Sequence, residues 1–295
     1  MVPSLRILDA ELLKVRRRWI PYVLLAALIL LLGVQIFLAG YLNWRMEDDP
    51  TFRDAGLVTF TLPWAIPPFL STIQFWGGIL LGVLAASVVA TEFGWGTVRQ
   101  ALIRGQGRTH YLTTKLLALA VLGAAGFVTA VIVAFVFSVI ATRLAGQPIT
   151  LEITGGDGPS IGDIALMAGR AGYSMLPYGL LGFSLAVVGR STTVGVTGVL
   201  LYAFVEAIVL AVLGGIGGAT ADARGFFPGH NVLAILAENR VGFVPGSISL
   251  SPREFPPPAA SELPDPTVAA LVLALYCLIF LAIAFVVFQR RDLHA

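Results

Sequence analysis

Six long apolar stretches divide the chain, near residues 19–42, 69–91, 116–142, 164–188, 194–218 and 267–288. Each approaches or exceeds the roughly 20 residues an α-helix needs to cross the hydrocarbon of a bilayer. Polar, proline-rich or glycine-rich segments separate them. The segment at about 43–68 opens on Glu47, Asp48, Asp49 and Asp54 and ends in prolines that resist a continuous helix. The segment at about 143–163 holds the turn run G-G-D-G-P-S. The longest, 219–266, ends in a proline-rich stretch that must be extended, and within it Asn231–Asn239 is expected to form a short helix against the outer face of the membrane. Residues 92–115 differ from these: they alternate basic and apolar residues over a length that a plain connection does not need. A short helix is expected from about Thr97, with Val98, Ala101, Leu102 and Ile103 beside Arg99 and Arg104, and with Gly105 and Gly107 breaking it.

Composition makes a membrane protein of this pattern. The 295 residues are 57% hydrophobic and 12% charged, with a mean hydropathy of +0.87. A soluble domain is about 25% charged, and so few polar residues cannot cover a water-facing surface. The first apolar stretch is too long for a cleaved signal peptide and lacks a small-residue cleavage site, so it reads as a retained anchor. Basic residues then set the orientation. With the N-terminus inside, segments 1–18, 92–115, 189–193 and 289–295 hold twelve Lys and Arg against six in the outer loops. Both termini are therefore expected in the cytoplasm. Residues 4–18 place Leu5, Leu8, Leu12 and Val15 at helical spacing, which suits an amphipathic helix in the interface; an ordinary basic flank is the plainer reading.

Few residues offer chemistry. There is no phosphate-binding loop, no H-E-x-x-H and no G-x-S-x-G elbow, and the single Cys277 forms neither a disulfide within the chain nor a metal site. No catalytic residue and no metal ligand is assigned. Glu206 lies about twelve residues into the fifth stretch, roughly 18 Å along the helix and near mid-membrane. A carboxylate there faces a bundle interior or a cavity. Its role is either structural, through hydrogen bonds or helix packing, or part of a translocation path or dimer centre. Arg170 sits close enough to a helix end to snorkel. Glycines at Gly78-x-x-x-Gly82, Gly169-x-x-Gly172, Gly195-x-x-Gly198 and Gly214-x-x-x-Gly218 let backbones approach closely within the bundle. The short helix near Thr97 suits docking into a groove of a soluble partner. Contact with anionic lipid explains Arg104, Arg108 and Lys115 equally well, but not the ordered E-x-x-x-G-T-x-R pattern.

In its order of motifs the chain resembles the ABC-2 type permeases, the membrane subunits of bacterial ATP-binding-cassette exporters. The matching pieces are E-L-L-K-V-R-R-R (Glu11 to Arg18), E-F-G-W-G-T-V-R-Q-A-L (Glu92 to Leu102) and G-Q-G-R-T-H-Y-L-T-T-K (Gly105 to Lys115). Glu206 and the terminal F-Q-R-R-D-L (Phe288 to Leu293) complete the set. The resemblance implies an all-α membrane protein of six transmembrane helices, with an ABC-2, type V exporter-like transmembrane domain over residues 1–295. In it, 1–18 is a cytoplasmic connecting helix with Glu11, Lys14 and Arg16, 92–115 is the coupling segment with Glu92, Gly96, Thr97, Arg99, Leu102 and Arg104, and 219–266 is a long outer loop. It implies a multi-pass protein of the bacterial plasma membrane that pairs with a second permease copy or paralogue and with two ABC ATPase subunits. Those subunits would bind ATP and Mg, and this chain would hold no cofactor of its own and bind no nucleic acid. At Gly105-Gln106-Gly107 the chain departs from the family, which often has proline there. A non-pumping membrane scaffold or immunity-type protein that binds a toxin or assembly factor is the alternative, and an intramembrane hydrolase lacks a nucleophile or metal constellation.

Overall fold

A computed structural model of the chain describes residues 3–105, 107–151, 159–216, 223–240 and 263–290. These residues are helical or in turns. The helices are α1 (Pro3–Arg16), α2 (Ile20–Met46), α3 (Pro50–Leu57), α4 (Ile66–Gly94), α5 (Thr97–Ile103), α6 (Arg108–Leu144), α7 (Ile161–Gly189), α8 (Thr192–Ile216), α9 (Pro228–Ala237) and α10 (Pro266–Arg290). Six of them, α2, α4, α6, α7, α8 and α10, are long and apolar enough to cross a membrane. The chain is a multi-pass membrane protein.

Two helices form the centre. In their most apolar windows α4 and α7 are 72% and 67% buried, against 11–22% for the other four. The central pair can cross closely because glycine meets glycine. A Cβ on Gly182 would collide with the Gly82 carbonyl, and one on Gly82 would lie 2.7 Å from the Tyr178 carbonyl. With no side chain between them, the two backbones gain dispersion contact along their length. The expected packing role therefore holds for Gly78 and Gly82, and for Gly195, which faces Ala86 and Ala186; Gly169 meets nothing, and Gly218 lies outside the described residues. Pro177 is buried within α7 and does not end it. The peripheral helices leave apolar side chains such as Phe204, Ile132 and Leu278 exposed, as lipid requires.

Two connections pack into the bundle. Residues 58–65 fold back into the bundle, burying Phe60, Leu62 and Ala65, and Gly40 makes room for Phe60, since a Cβ there would lie 2.8 Å from the Phe60 Cβ. The Leu62 N–H donates to Thr142 Oγ1 at 3.0 Å, which satisfies a backbone donor that burial would otherwise strand. The helix expected at Asn231–Asn239 is α9, which starts three residues earlier at Pro228. It packs against α7 and α10, burying Pro228, His230, Asn231, Val232, Ile235 and Leu236. The rest of the 219–266 loop lies largely outside the described residues.

Candidate functional site at the α1–α5 end

The turn from α4 into α5 depends on Gly96, whose φ of +67° is open to glycine and strained for other residues. Thr97 Oγ1 donates to the Glu92 carbonyl at 3.1 Å, satisfying an acceptor at the end of α4. At the other end, α5 stops at Gly105, where φ is +85°. Proline, fixed near −65°, cannot take that conformation at 105, whereas Gly107, at φ −63°, sits in a conformation that proline fits. The apolar patch expected on α5 is split between two faces. Val98 is buried, with Ala101 and Leu102 half-buried beside it against the core. Ile103 is 75% exposed and shares the outer face with Trp95 (66% exposed), Arg99, Gln100 and Arg104.

Beneath α5 lies a buried ionic node. The Lys115 side chain is 2% exposed, and its ammonium bonds both Glu11 of α1 and Glu92 of α4. The Tyr111 hydroxyl donates to the second oxygen of Glu92, and Lys14 Nζ donates to Glu11 at 2.7 Å. Two carboxylates thus face two ammoniums, and the buried charge is matched. Burial pushes the Glu11 carboxyl up, but hydrogen bonds and charge from Lys115 and Lys14 together outweigh it and hold the group below its ordinary value. The Tyr111 ring stacks on Phe288 of α10 at 5.8 Å, and Phe93 meets Phe288 edge-on at 6.1 Å. Arg108 Nη1 donates to the Gln289 carbonyl at 2.6 Å. On the other flank, Arg18 Nη1 donates to Thr91 Oγ1 at 2.6 Å and its guanidinium sits 4.8 Å from the Trp95 ring centroid. Both ends of the chain therefore converge here, α1 through Glu11 and α10 through Phe288.

The residues singled out from sequence divide by direction. Glu11 and Glu92 point inward to Lys115; Gly96 makes the turn; Thr97 and Leu102 are half-buried and hold α5 in place. Lys14, Arg16, Arg99 and Arg104 are exposed. Lys115 corrects the sequence reading, which left it as a basic flank touching lipid. The signal was available: Tyr111, Leu112, Lys115, Ala118 and Leu119 recur at three- and four-residue spacing, and all five are buried. Val15 is buried with Glu11, one helical turn apart, so the face that α1 buries is turned to the bundle. The side chains of Leu5 and Leu8 lie outside the described residues.

Glu206 lies elsewhere in the molecule, on α8. It is 5% exposed and accepts from Tyr178 Oη at 2.9 Å, from Tyr202 Oη at 3.4 Å and from the Gly229 N–H at 2.7 Å. Gly229 is in the first turn of α9, so the carboxylate caps a helix N-terminus from another element. At its other end α9 runs into a short 3₁₀ turn, Glu238–Arg240, where Arg170 meets Asn239 Oδ1 at 3.4 Å and Glu238 at 3.6 Å. Arg170 and Glu206 thus hold opposite ends of the same helix. Among the described residues no group of three or more His, Cys, Asp or Glu side chains could hold a metal ion.

A family model described as a protein of unknown function, DUF2705, matches residues 34–294, and the chain belongs to that family. No curated protein matches it.

Proposed function

We propose that this DUF2705 protein is the permease subunit of an ATP-driven exporter resembling the ABC-2 type, set in a bacterial plasma membrane with both termini in the cytoplasm. The observation that carries the reading is the construction of α5. Its outer face offers Arg99 and Ile103 to a partner, with Trp95 before it and Arg104 after it, while its root is tied through Glu92 and Lys115 to α1, α4 and α6. A helix meant only to connect two spans needs neither. In this reading α5 is the coupling helix and α1 the connecting helix beside it. Each of two ATPase subunits presents a groove to α5 of one permease copy, and closure of the ATPases on nucleotide pushes it. Lys115 passes the displacement to three helices at once, because its two ion pairs cannot stretch without exposing buried charge. The bundle then moves as a rigid body. ATP and Mg are held by the ATPases, and this chain hydrolyses nothing.

Co-purification with the ATPase encoded beside this chain tests the reading. Arg99→Glu with Ile103→Asp alters two exposed side chains and leaves the node untouched. The expected result is a stable complex for the unaltered chain and at least a tenfold loss of complex, and of permease-dependent ATP hydrolysis, for the double variant. A complex that survives the double variant refutes the assignment of α5. If no ATPase binds the unaltered chain, the scaffold or immunity-type role replaces the exporter.

A further inference from the structure

The three groups that bond the Glu206 carboxylate, two phenols and a peptide N–H, are all neutral. At the other end of the bundle, by contrast, each buried carboxylate meets an ammonium. Glu206 lies fourteen residues into α8, roughly 21 Å along its axis, within the depth of the hydrocarbon. A carboxylate at such depth favours a positive charge beside it. Its surroundings favour one as well. The Tyr178 and Tyr202 rings stand 6.4 Å apart at 61°, and Tyr276 and Phe280 of α10 pair at 5.9 Å. Aromatic faces attract cations most strongly where water is absent.

We propose that Glu206 is a binding site for a lipid-soluble cation, such as a hydrophobic amine or phosphonium, which takes the place of the Gly229 N–H at the carboxylate. Gly229 approaches only because it has no side chain: a Cβ there would lie 3.1 Å from Leu210 Cδ1 and 3.2 Å from Glu206 Cδ. Phe204, two residues before Glu206 and on the opposite face of α8, is 67% exposed, so α8 itself separates the site from the lipid from which such a cation would come. Arrival of the cation frees the N-terminus of α9, and cargo binding becomes release of that helix. Only the word cargo rests on the permease reading, for which this names a substrate class.

The test uses the full chain in detergent with tetraphenylphosphonium as probe and triphenylphosphine oxide as its neutral counterpart, followed by equilibrium dialysis. Saturable binding of the cation is expected. Glu206→Gln keeps an oxygen for the Gly229 N–H and should weaken the cation at least tenfold without changing the neutral compound. Gly229→Ala crowds the N–H away from the carboxylate and should tighten cation binding several-fold. On the unaltered chain, the cation should protect Glu206 from modification by dicyclohexylcarbodiimide, read by mass spectrometry, which needs no variant to fold. Equal binding of both compounds, indifference to Glu206→Gln, or absence of protection overturns the site. Cation binding by a chain that recruits no ATPase would keep this site and refute only the exporter. An ATPase complex without cation binding would do the reverse.

Discussion

Replacing Lys115 with methionine is the most demanding perturbation of the ionic node. Methionine keeps most of the side-chain volume, so the change removes charge with little cavity. The side chains involved are 2% exposed for Lys115, 4% for Glu92 and 9% for Glu11, so water cannot step in for the lost ammonium. Removing one partner of a buried pair costs about 3–5 kcal/mol, and here one ammonium serves two carboxylates, which places the expected loss near 5 kcal/mol. That is comparable to the whole stability of a marginal domain. Lys14, 54% exposed, remains to offset Glu11 but touches only that carboxylate. The assay is equilibrium unfolding of the solubilised protein, followed by tryptophan fluorescence. The companion is the triple change Lys115→Met, Glu11→Gln, Glu92→Gln, which removes every charge left unpaired and should return stability to within about 2 kcal/mol of the unaltered chain, since buried ion pairs contribute little net over neutral replacements. A loss below about 1 kcal/mol for Lys115→Met alone, the size of a solvated surface pair, would refute the buried node.

Further outcomes follow from the same geometry. Because the folded state holds Glu11 below its ordinary value, its contribution is present above the unfolded carboxylate pKa of about 4.5 and is lost as pH falls through the lower folded value; melting curves between pH 7 and 3 should show Glu11→Gln losing its stability difference from the unaltered chain in that acidic window. Gly182→Ala drives a methyl into the Gly82 carbonyl and should cost about 1–3 kcal/mol, measured by the same unfolding assay, whereas Gly169→Ala, with nothing nearby, should cost none. Val98→Ala removes two buried methyl groups under α5 and should cost about 1–2 kcal/mol, while Ile103→Ala, exposed, should stay within about 0.5 kcal/mol in the chain alone.

The spans were legible because length of an apolar run is nearly the whole requirement for crossing a bilayer, and a run of this length has few other uses. The start and stop of α5 were legible for a related reason, since Gly96 and Gly105 supply the left-handed turns that bound it. What escaped was the direction of side chains. Lys115 sits in a row of basic residues whose neighbours Arg104 and Arg108 do lie toward the surface, and composition cannot separate a cation bound for lipid headgroups from one bound for two carboxylates 23 and 104 residues away. Residues 58–65 read as part of a connection whose prolines resist a continuous helix, which says nothing of burial, yet Phe60 fills a space that Gly40 leaves on another helix. For Glu206, Tyr202 was within reach at four residues on the same helix, but Gly229 was not. A polar residue in a bundle finds partners by tertiary proximity; helical spacing marks the buried face at Lys115 but does not name the partners.

The two buried carboxylate sites differ in how readily they can open. At the α5 end, motion that separates Lys115 from Glu92 or Glu11 leaves bare charge in a dry interior, at about 3–5 kcal/mol for the separation. In the permease reading proposed above, that site moves as a unit and transmits displacement. At Glu206, losing the Gly229 N–H forfeits one charge-assisted bond, about 1.5–3 kcal/mol, and leaves two phenols still solvating the carboxylate. In the proposal above, a cation supplied in exchange offsets that loss by pairing with the carboxylate. If Glu206 binds a cation as proposed, it is the site where a ligand changes the structure, while Lys115 is the site where structure is held. The sequence puts ionic pairing where α1, α4 and α6 meet, and neutral pairing at the N-terminus of α9.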